Sequence, residues 1–549
     1  MKSFLPALLL SSLVPAAVAA GAGSEPTVGT TEVIGPFSGH DAPLHPDNLE
    51  PEPLLYYGTD LGFTYEHNGD IHFLFGDSWA TEAYSPIEAS TGSRFDDAFG
   101  TISLAEWPDS SKISPSNIPL IRIGRNPGTN EASAMNPGHA MDLGKTPMHG
   151  FSNGTDQFAI FNSTKPRGCM ADAECGHGQT CDAGLGYLGA RFDEEENLTL
   201  PCVDGSPFCV AETTTDEEGQ AVEGSGLCID EGSTVWADTL AGRLAAAALV
   251  QRIGLRSRED PRLYGDIRLW LTNRFVNVTA RTVERFIADN GEGSTEADYR
   301  NAEGRGGAQR VFLWGRPGFI SVNANGRTLG LYFAYVDLPK GSGFAWNPQY
   351  YTGSRNGVPQ VSPDEGNARP LDLDSTRDGI QPKEIHDLAQ QMSVSWIEPL
   401  GKWVMFYSGG IISLPRATLP GCGVLELFTR SECKDVVVGN GAVRMRTADH
   451  PWGPWSPPQD VIEGGDPDVP GSGQYGPGGV LRHPACREAT CAPHTQTEYY
   501  DANEYGFFYS ANIIEQWTRE VDGGAVDVYW NVSTWDPYRV VLLRTRIKP

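Results

Sequence analysis

Two aspartates near the start of the chain are spaced as a facing pair. Residues 56–79 read YYGTDLGFTYEHNGDIHFLFGDSW, in which two aromatic-rich runs flank Asn68-Gly69. Asn-Gly between such runs is the strongest short signal for a two-residue β-hairpin turn. In the register that this turn sets, Asp60 lies directly opposite Asp77, so the sequence predicts two carboxylates on one face of a hairpin.

A facing pair of carboxylates needs a compensating charge, a shared proton or a ligand, because like charges directly opposite each other destabilise a sheet. Glycoside hydrolysis uses such a pair: one carboxyl protonates the leaving oxygen and the other acts as base or nucleophile. Asp60 and Asp77 are therefore predicted to be catalytic, and burial or mutual repulsion would keep one of them protonated. A calcium ion between them and a purely structural role are the alternatives.

Charge and the N-terminal segment limit the class of protein. The chain has 549 residues and a formal net charge of −29, which argues against nucleic acid as a partner because phosphate binding needs clustered Lys and Arg. Residues 1–20 read as a secretory signal peptide, and no later segment is expected to span a membrane. The sequence thus predicts a secreted, extracellular or periplasmic monomer.

Turn residues and short strands indicate an all-β fold. The chain contains 64 Gly and 40 Pro with 10% aromatic residues, and helical periodicity is scarce. Strand clusters of three to four strands fit a five-bladed β-propeller over residues 21–549, with a multi-layer β-sandwich as the alternative. Residues 27–40 are expected to pair with the last blade. The predicted clusters are 60–104, 145–163 with 263–280, 309–337, 391–413 with 442–462, and 475–548.

Ten cysteines in local groups predict disulfides formed in an oxidising compartment. A zinc site is disfavoured because no C-x-x-C occurs. Residues 167–232 form a predicted disulfide-rich insertion within the second blade, whose six cysteines are expected to pair only among themselves; two further pairs are expected downstream. The six are Cys169, Cys175, Cys181, Cys202, Cys209 and Cys228, and the pairs are Cys422 with Cys433 and Cys486 with Cys491.

Other polar residues are candidates for lining a central substrate pocket, although each also has a structural interpretation. An arginine suits sugar hydroxyls or a carboxylate because its guanidinium presents donors in a fixed fork. The tryptophans, Trp535 among them, are predicted to lie mainly in the core, while some could stack on a sugar. The predicted substrate-binding residues are Arg316, Tyr475, His72, His149 and Gln391.

A short acidic segment imitates the opening of a calcium loop. Asp374, Thr376 and Asp378 precede Gly379, but no Glu follows at the spacing of an EF-hand. These residues are therefore candidate ligands of a structural calcium ion, and no cofactor is expected to be required.

Six segments resemble one β-propeller family. They are GTDLG at 58–62, FGDSW at 75–79, WGRP at 314–317, KWVMFY at 402–407, PWGPWS at 451–456 and STWDPYRVVLLRTRI at 533–547. The family was first known as domain of unknown function 4185, and some members form glycoside hydrolase family 183, the endo-D-arabinanases. The resemblance runs through most of residues 54–548. It implies that the aspartates of the GTD and FGD segments, here Asp60 and Asp77, are the catalytic pair.

The sequence therefore predicts a secreted glycoside hydrolase that acts on a polysaccharide, with an endo-acting furanosidase of D-arabinan as the activity that the resemblance implies. Two other classes stay open. One is a non-catalytic carbohydrate-binding propeller. The other is a polysaccharide lyase, for which His149, Arg316 and Tyr475 could supply a base and a cation.

Overall fold

The structure is a computed structural model that describes just over half of the chain. The described residues are 25–82, 96–125, 130–132, 145–154, 156–166, 168–169, 179–182, 191–192, 198–199, 226–230, 249–256, 264–272, 274–275, 277–284, 309–316, 331–338, 346–355, 358–371, 373, 391–409, 412–413, 437–438, 442–464, 473–475, 478–481, 508–535 and 537–549.

The first strand and the first sheet contain the predicted hairpin. Strand β1 spans Thr27–Gly39 and pairs far along the chain. The first sheet has the order β2-β3-β4-β5 and is antiparallel throughout. Its strands are β2 (Gly58–His67), β3 (Asp70–Trp79), β4 (Asp96–Ser103) and β5 (Arg122–Ile123).

The second sheet has the order β14-β13-β7-β6, and five short strands lie between its second and third strands in the chain. Its strands are β6 (Lys145–Ser152), β7 (Gln157–Pro166), β13 (Leu249–Arg256) and β14 (Tyr264–Leu271). The short strands are β8 (Gly168–Cys169), β9 (Gln179–Asp182), β10 (Arg191–Phe192), β11 (Leu198–Thr199) and β12 (Gly226–Asp230). They form small sheets of their own, β8-β12-β9 and β10-β11.

The third and fourth sheets follow in chain order as β15-β16-β17-β18-β19 and β20-β21-β24-β25. The third contains β15 (Asn277–Glu284), β16 (Gln309–Arg316), β17 (Tyr332–Leu338), β18 (Gln349–Arg355) and β19 (Val358–Ser362). The fourth contains β20 (Met392–Ile397), β21 (Lys402–Gly409), β24 (Ala442–Ala448) and β25 (Gln459–Glu463), with β22 (Ile412–Ser413) and β23 (Val437–Val438) paired separately.

The last sheet joins the two ends of the chain. Its order is β1-β29-β28-β26, with β27 paired to β28, so β1 lies at its edge. Its C-terminal strands are β26 (Phe508–Ile513), β27 (Arg519–Glu520), β28 (Val526–Thr534) and β29 (Arg539–Lys548). The pairing of Thr27 with Lys548 and of Gly39 with Arg539 confirms that the N-terminal segment closes on the last sheet.

The sheets are arranged like the blades of a propeller. One strand of each large sheet contacts the corresponding strand of the next sheet, and these contacts close a ring. In this ring β2 contacts β6, β6 contacts β15, β15 contacts β20, β20 contacts β26, and β26 contacts β2. The predicted all-β class is confirmed, but the prediction of five blades needs correction. Of the five large sheets, four are blades that each come from one region of the chain, whereas the fifth is composite because it joins β1 to the C-terminal strands. Residues 277–284, assigned in part to the second cluster, instead begin the third sheet.

Apolar side chains fill the spaces between neighbouring sheets. Between the fourth sheet and the composite sheet, Phe406 packs edge to face on Trp530 with ring centroids 5.4 Å apart. Between the third and fourth sheets, Trp314 and Trp403 are fully buried, with centroids 5.7 Å apart. Because each sheet buries apolar side chains against both neighbours, removing one sheet would expose two of these interfaces.

Helical structure among the described residues is limited to short 3-10 turns. They are Pro46–Asn48, Ser110–Lys112, Glu365–Asn367, Glu398–Leu400, Gly473–Tyr475, Glu515–Trp517 and Asp522–Gly524. In the part of the chain that the structure describes, no helix has the length and apolar character needed to cross a membrane.

Candidate active site

The turn of the first hairpin forms as predicted. Asn68 and Gly69 have φ values of 54° and 85°, and positive φ at both central residues is the signature of a type I′ turn. Next to the turn, Tyr65 pairs with His72 and the ladder is regular. The predicted register is therefore confirmed at this end of the hairpin.

Farther from the turn, a β-bulge at Leu61 and Gly62 changes the register of the hairpin. Leu61 and Gly62 have φ values of 65° and 71°, and the ladder shifts by one residue there. As a result Asp60 lies opposite Gly76, and the prediction that it lies directly opposite Asp77 is wrong. The physical reason is that a β-bulge inserts one unpaired residue, which a register counted from the turn cannot foresee.

Side chains of the composite sheet hold this bulge. The carbonyl oxygen of Leu61 accepts hydrogen bonds from Asn512 Nδ2 at 2.8 Å and from Ser533 Oγ at 3.3 Å. The next carbonyl, that of Gly62, accepts a bond from Asn531 Nδ2 at 2.9 Å. A left-handed conformation costs a non-glycine residue about 1–2 kcal/mol, so these bonds offset the strain at Leu61.

A second bulge displaces Asp77. The register shifts at this residue against both β2 and β4, and its φ is 29°. Asp77 is therefore pushed out of the ladder and is exposed to solvent. The carbonyl of Gly76 beside it accepts bonds from Thr59 Oγ1 at 3.3 Å and Ser78 Oγ at 3.2 Å, which fix the backbone on one side of the bulge.

Asp60 is buried at the same end of the hairpin, with a relative exposure of 6%. Its Oδ2 accepts a hydrogen bond from the Tyr509 hydroxyl at 2.7 Å. Its Oδ1 makes no hydrogen bond of good geometry with any described residue. That oxygen lies against Gly76, where a Cβ atom would come within 2.6 Å of it. Only glycine leaves room for this carboxyl.

Burial and a neighbouring charge keep a proton on Asp60. Burial raises the pKa of Asp60 to about 7, the charge of Asp77 adds to the rise, and the hydroxyls of Tyr509 and Tyr538 and the Gly76 amide oppose it. The pKa of Asp77 is also raised, because protein surrounds its carboxyl although the residue reaches solvent. The two acids interact electrostatically despite lying out of register.

Two tyrosines complete the surroundings of Asp60. Tyr509 is partly buried and Tyr538 is fully buried, and burial together with the charge of Asp60 raises the pKa of both phenols well above 10. Both therefore stay protonated as potential hydrogen-bond donors. The ring of Tyr538 stacks on Trp79, with centroids 4.6 Å apart and planes 19° apart.

Backbone strain concentrates at this site. Five non-glycine residues of the described chain have positive φ, and three of them lie at this site: Asp77 itself, Leu61 next to Asp60, and Ser510 next to Tyr509. The hydroxyl of Ser510 lies 3.5 Å from the Leu61 carbonyl, and Ser510 follows Tyr509 directly. Strained residues of this kind persist where the surroundings over-determine them, which is common at functional sites.

His149, which was predicted to bind substrate, lies on β6 of the adjacent second sheet. Its ring is 5.6 Å from that of Phe63 on β2, and its Nδ1 is 2.8 Å from the Gly150 carbonyl oxygen. Burial lowers the pKa of His149 to about 4, and the nearby Arg281 adds to the decrease. The imidazole is therefore neutral near pH 7 and tightly packed.

Gln391 and Arg316 lie at strand ends of two other sheets. The Gln391 carbonyl accepts bonds from the amide and hydroxyl of Ser408, and that hydroxyl in turn receives the Ser510 amide at 3.3 Å. The backbone of Gln391 is thus two hydrogen bonds from the residue after Tyr509. Arg316 pairs with Asn277 at the end of β16, and burial lowers its pKa to about 9. Substrate contact by either residue stays a prediction.

His72 does not belong to the acidic site. It is five residues from Asp77 along β3, which corresponds to about 16 Å at the rise of a strand. Its ring stacks on Tyr65 at a centroid distance of 5.1 Å, near the turn. The structure therefore separates His72 from the acids and gives it a packing role.

Several predicted residues lie outside what the structure describes. Tyr475 ends a 3-10 turn, but its side chain is not described, and the possible calcium ligands Asp374, Thr376 and Asp378 fall between described segments. Within the described segments, no group of three or more His, Cys, Asp or Glu could hold a metal ion. The cysteine side chains and residues 1–20 are also outside, so the disulfides and the signal peptide stay predictions.

Tyr509 and Tyr538 are the site residues that sequence reasoning missed. Tyr538 stands in the segment STWDPYRVVLLRTRI, which carried the family resemblance, so that segment held a signal. Tyr509 had none, because the contact with Asp60 spans 449 positions and depends on closure of the ring of sheets.

Known proteins give only distant similarities. No protein-family model and no curated protein matches the chain. The crystal structure of a putative hydrolase from Bacteroides ovatus is 10% identical in sequence, with a TM-score of 0.38. The match covers 90% of this chain and 86% of the hydrolase chain. The α-L-arabinofuranosidase PaAbf62A from Podospora anserina, in complex with cellotriose, is 10% identical over 95% and 98% of the two chains, with a TM-score of 0.31. Levansucrase from Gluconacetobacter diazotrophicus is 9% identical over 92% and 82%, with a TM-score of 0.31. These values are too low to transfer an activity to this chain.

Proposed function

We propose that this protein is a glycoside hydrolase that cleaves a polysaccharide, with Asp60 and Asp77 as its catalytic carboxyls. The observation that carries the proposal is a pair of interacting acids in which the buried Asp60 has a pKa of about 7 while Asp77 reaches solvent. Two interacting carboxyls in different surroundings, one buried and one reaching solvent, suit the separate roles of acid and base.

The two acids have different roles in this proposal. Asp60 keeps its proton below about pH 7, so it acts as the general acid on the leaving oxygen. Asp77 projects from its bulge towards solvent, so it acts as the base that activates water or as the nucleophile. Tyr509 holds Asp60 in place through the 2.7 Å hydrogen bond and does not itself react, because its own pKa is strongly raised.

The substrate proposed is a furanoside polymer such as D-arabinan, cleaved within the chain, as the sequence resemblance implies. Asp60 of the first sheet and Tyr509 of the composite sheet meet where the ring of sheets closes, which supports a site at this closure. Secretion, as the N-terminal segment predicts, would give the enzyme access to such a polymer.

The test is a reducing-end assay on arabinan, xylan, glucan and uronic-acid polysaccharides. Asp77→Asn and Asp60→Asn should each lower turnover of the substrate by about 10²–10⁴-fold. An aryl glycoside with an activated leaving group needs little acid catalysis, so Asp60→Asn should keep most of its activity on it, while Asp77→Asn should not. Asp70→Asn, at the turn of the same hairpin, is the matched control and should leave turnover unchanged.

Two results would contradict hydrolysis and identify another class of protein. New chain ends that absorb in the ultraviolet would identify an eliminating lyase. Binding of a polysaccharide without any new reducing ends would identify a carbohydrate-binding propeller that does not catalyse.

A further inference from the structure

Two buried hydroxyls adjoin the acids, and we call this pair, Thr59 and Ser78, the hydroxyl clamp. Thr59 directly precedes Asp60 on β2, and Ser78 directly follows Asp77 on β3. The clamp residues have exposures of 0% and 5%, and Thr59 Oγ1 lies 2.8 Å from Ser78 Oγ. Because the two residues stand on paired strands, this hydrogen bond joins β2 to β3 next to both acids.

Both hydroxyls of the clamp also converge on one carbonyl. Thr59 Oγ1 and Ser78 Oγ lie 3.3 Å and 3.2 Å from the carbonyl oxygen of Gly76. A hydroxyl has a single hydrogen to donate, so the two hydrogens serve these two contacts and the contact between the hydroxyls as one network. Each hydroxyl takes part in two of the three contacts, so the loss of either one breaks most of the network.

The clamp acts on the peptide group that carries Asp77. The carbonyl of Gly76 and the amide of Asp77 belong to the same planar, rigid group. The clamp holds the carbonyl side of this group, and on the other side the Asp77 amide donates to the carboxyl of the same residue. The φ of Asp77 is 29°, which a non-glycine residue keeps only where its surroundings impose it. The orientation of this peptide therefore directs the Asp77 carboxyl.

The other acid is bonded to the peptide just before it. Asp60 pairs with Gly76 in the ladder, and the Gly76 amide donates to the Asp60 carboxyl. The two carboxyls are thus bonded to consecutive peptides of β3, which meet at Gly76. The angle between these two peptides fixes where the carboxyls stand relative to each other, and the clamp holds the second peptide.

We infer that Thr59 and Ser78 are positioning residues, which set the separation of the Asp60 and Asp77 carboxyls through the peptide between Gly76 and Asp77. This inference rests on the proposed function and goes beyond it. In glycoside hydrolysis, carboxyls about 5 Å apart act through a covalent intermediate, whereas a separation of about 6.5–9.5 Å admits the attacking water. A network that fixes the separation therefore keeps the enzyme to one course of reaction.

A change in the separation has an electrostatic effect of known sign. The charge of Asp77 raises the pKa of Asp60. Tyr509 and Tyr538 also face Asp60, but their own raised pKa values keep both phenols neutral. Without the clamp the peptide can turn, and the like charges move apart because Asp77 reaches solvent. The pKa of Asp60 should then fall, whereas loss of the Tyr509 hydroxyl should raise it.

The test removes one hydroxyl at a time. Thr59→Val keeps the shape of the side chain, Ser78→Ala removes a single oxygen, and Thr59→Ser retains the hydroxyl. Thr64→Val is the matched control, because Thr64 lies buried on the same strand and its hydroxyl donates to the Ile513 carbonyl at 3.1 Å. Two quantities are followed between pH 4 and pH 9. One is the free energy of unfolding in urea, which needs no substrate, and the other is kcat/KM on the polysaccharide that the wild type cleaves.

The stability that Asp60 contributes falls as the pH rises and levels off near its folded pKa of about 7. In Thr59→Val and Ser78→Ala we expect this levelling, and the alkaline limb of kcat/KM, to move down by about 0.5–1 pH unit. We also expect kcat to fall about tenfold or more. Because both hydroxyls act through one network, the double variant should shift little further than either single variant. Thr59→Ser and Thr64→Val should keep the wild-type profile.

An unchanged or upward shift in folded Thr59→Val or Ser78→Ala would overturn the inference, and hydrolysis by the wild type would still support the proposed function. A downward shift of the stability profile in a protein that cleaves no polysaccharide would uphold the clamp and remove the hydrolase. If Thr59→Val does not fold, Ser78→Ala decides between these outcomes by the same two measurements.

Discussion

The two ends of the first hairpin follow different rules. At the turn, residues pair in the register that Asn68-Gly69 dictates, and Tyr65 stacks on His72. At the other end, two bulges break the ladder, Asp60 is buried and Asp77 is pushed outward. We call these the turn end and the acid end.

The difference lies in what determines each conformation. At the turn end the register follows from Asn68-Gly69, and contacts with the second sheet, such as the hydrogen bond from Tyr65 to Gln157, leave that register unchanged. The acid end is held by Asn512, Asn531 and Ser533, which reach across from the composite sheet. The acid end is therefore where the hairpin is shaped by the rest of the molecule, and where its chemistry lies.

The largest effect should come from adding one methyl group at the acid end. In Gly76→Ala the new Cβ would lie 2.6 Å from Asp60 Oδ1 and 2.8 Å from Leu61 Cδ1, so the acid must move. Misplacement of a catalytic group by about 1 Å can cost about 100-fold, and we expect at least that loss in kcat/KM. Gly69→Ala at the turn end meets open space but keeps φ at 85°, so it should lose about 1–2 kcal/mol of stability and no activity per folded molecule. Equal activity losses in the two variants would contradict the contrast.

A smaller but measurable effect is expected on stability. The pKa of Asp60 is about 7 in the folded chain and returns to 3.8 on unfolding. The folded state therefore binds the proton more tightly, so the free energy of unfolding contributed by this group is greatest below about pH 4 and falls as the pH rises to about 7.

Asp60→Asn removes that dependence. By urea denaturation at pH 8 it should be more stable than the wild type by about 2–4 kcal/mol, and the difference should vanish near pH 4. Asp70→Asn, which removes a carboxyl at the turn end of the same hairpin, is the control for the change of side chain. A destabilised Asp60→Asn at pH 8 would mean that the carboxylate is a structural ligand.

A shift in the pH profile should follow from loss of one hydroxyl. Tyr509→Phe removes the donor to Asp60, and a hydrogen bond to the ionised form lowers a carboxyl pKa, so its loss should raise the pKa of Asp60 above about 7. The alkaline limb of the kcat/KM profile should move up by about 1 pH unit. Tyr65→Phe, whose hydroxyl donates to Gln157 at 2.9 Å, is the matched change at the turn end and should leave the limb in place. A downward shift in Tyr509→Phe would rule out Asp60 as the acid.

The smallest effect is expected at His72. Because it packs at the turn end about 16 Å from Asp77, His72→Gln should leave kcat/KM within about twofold and cost about 1 kcal/mol of stability. Kinetics on the substrate together with thermal denaturation distinguish the two quantities. A rise in KM with unchanged stability would contradict this prediction and indicate that His72 contacts the substrate.

Local patterns could be predicted from the sequence, and long-range ones could not. Asn68-Gly69 predicted the turn because its two residues favour positive φ by themselves, and closure of the chain ends was predicted because propellers commonly join their first and last strands. The bulge at Leu61 and Gly62 depends on Asn531, which donates a hydrogen bond to the Gly62 carbonyl from 469 positions away. No local sequence pattern therefore predicts the bulge. The sequence therefore identified the two acids but placed them in the wrong register, and it gave no sign that Tyr509 would bind one of them.

Closure of the chain by its two ends has a consequence for the order of assembly. The hydroxyls of Thr31 and Thr545 hydrogen-bond across 514 positions, so β1 is translated long before its partner β29 exists. At about 5–20 residues per second, β1 waits between about 25 and about 100 s without the strand it needs. An unpaired strand over that time is a template for aggregation. Within β1, Glu32, Gly35 and Pro36 weaken pairing with a wrong strand, because charge and proline hinder pairing at an exposed sheet edge and glycine weakens a strand. The composition of β1 thus suits a strand that stays unpaired until β29 has been synthesised.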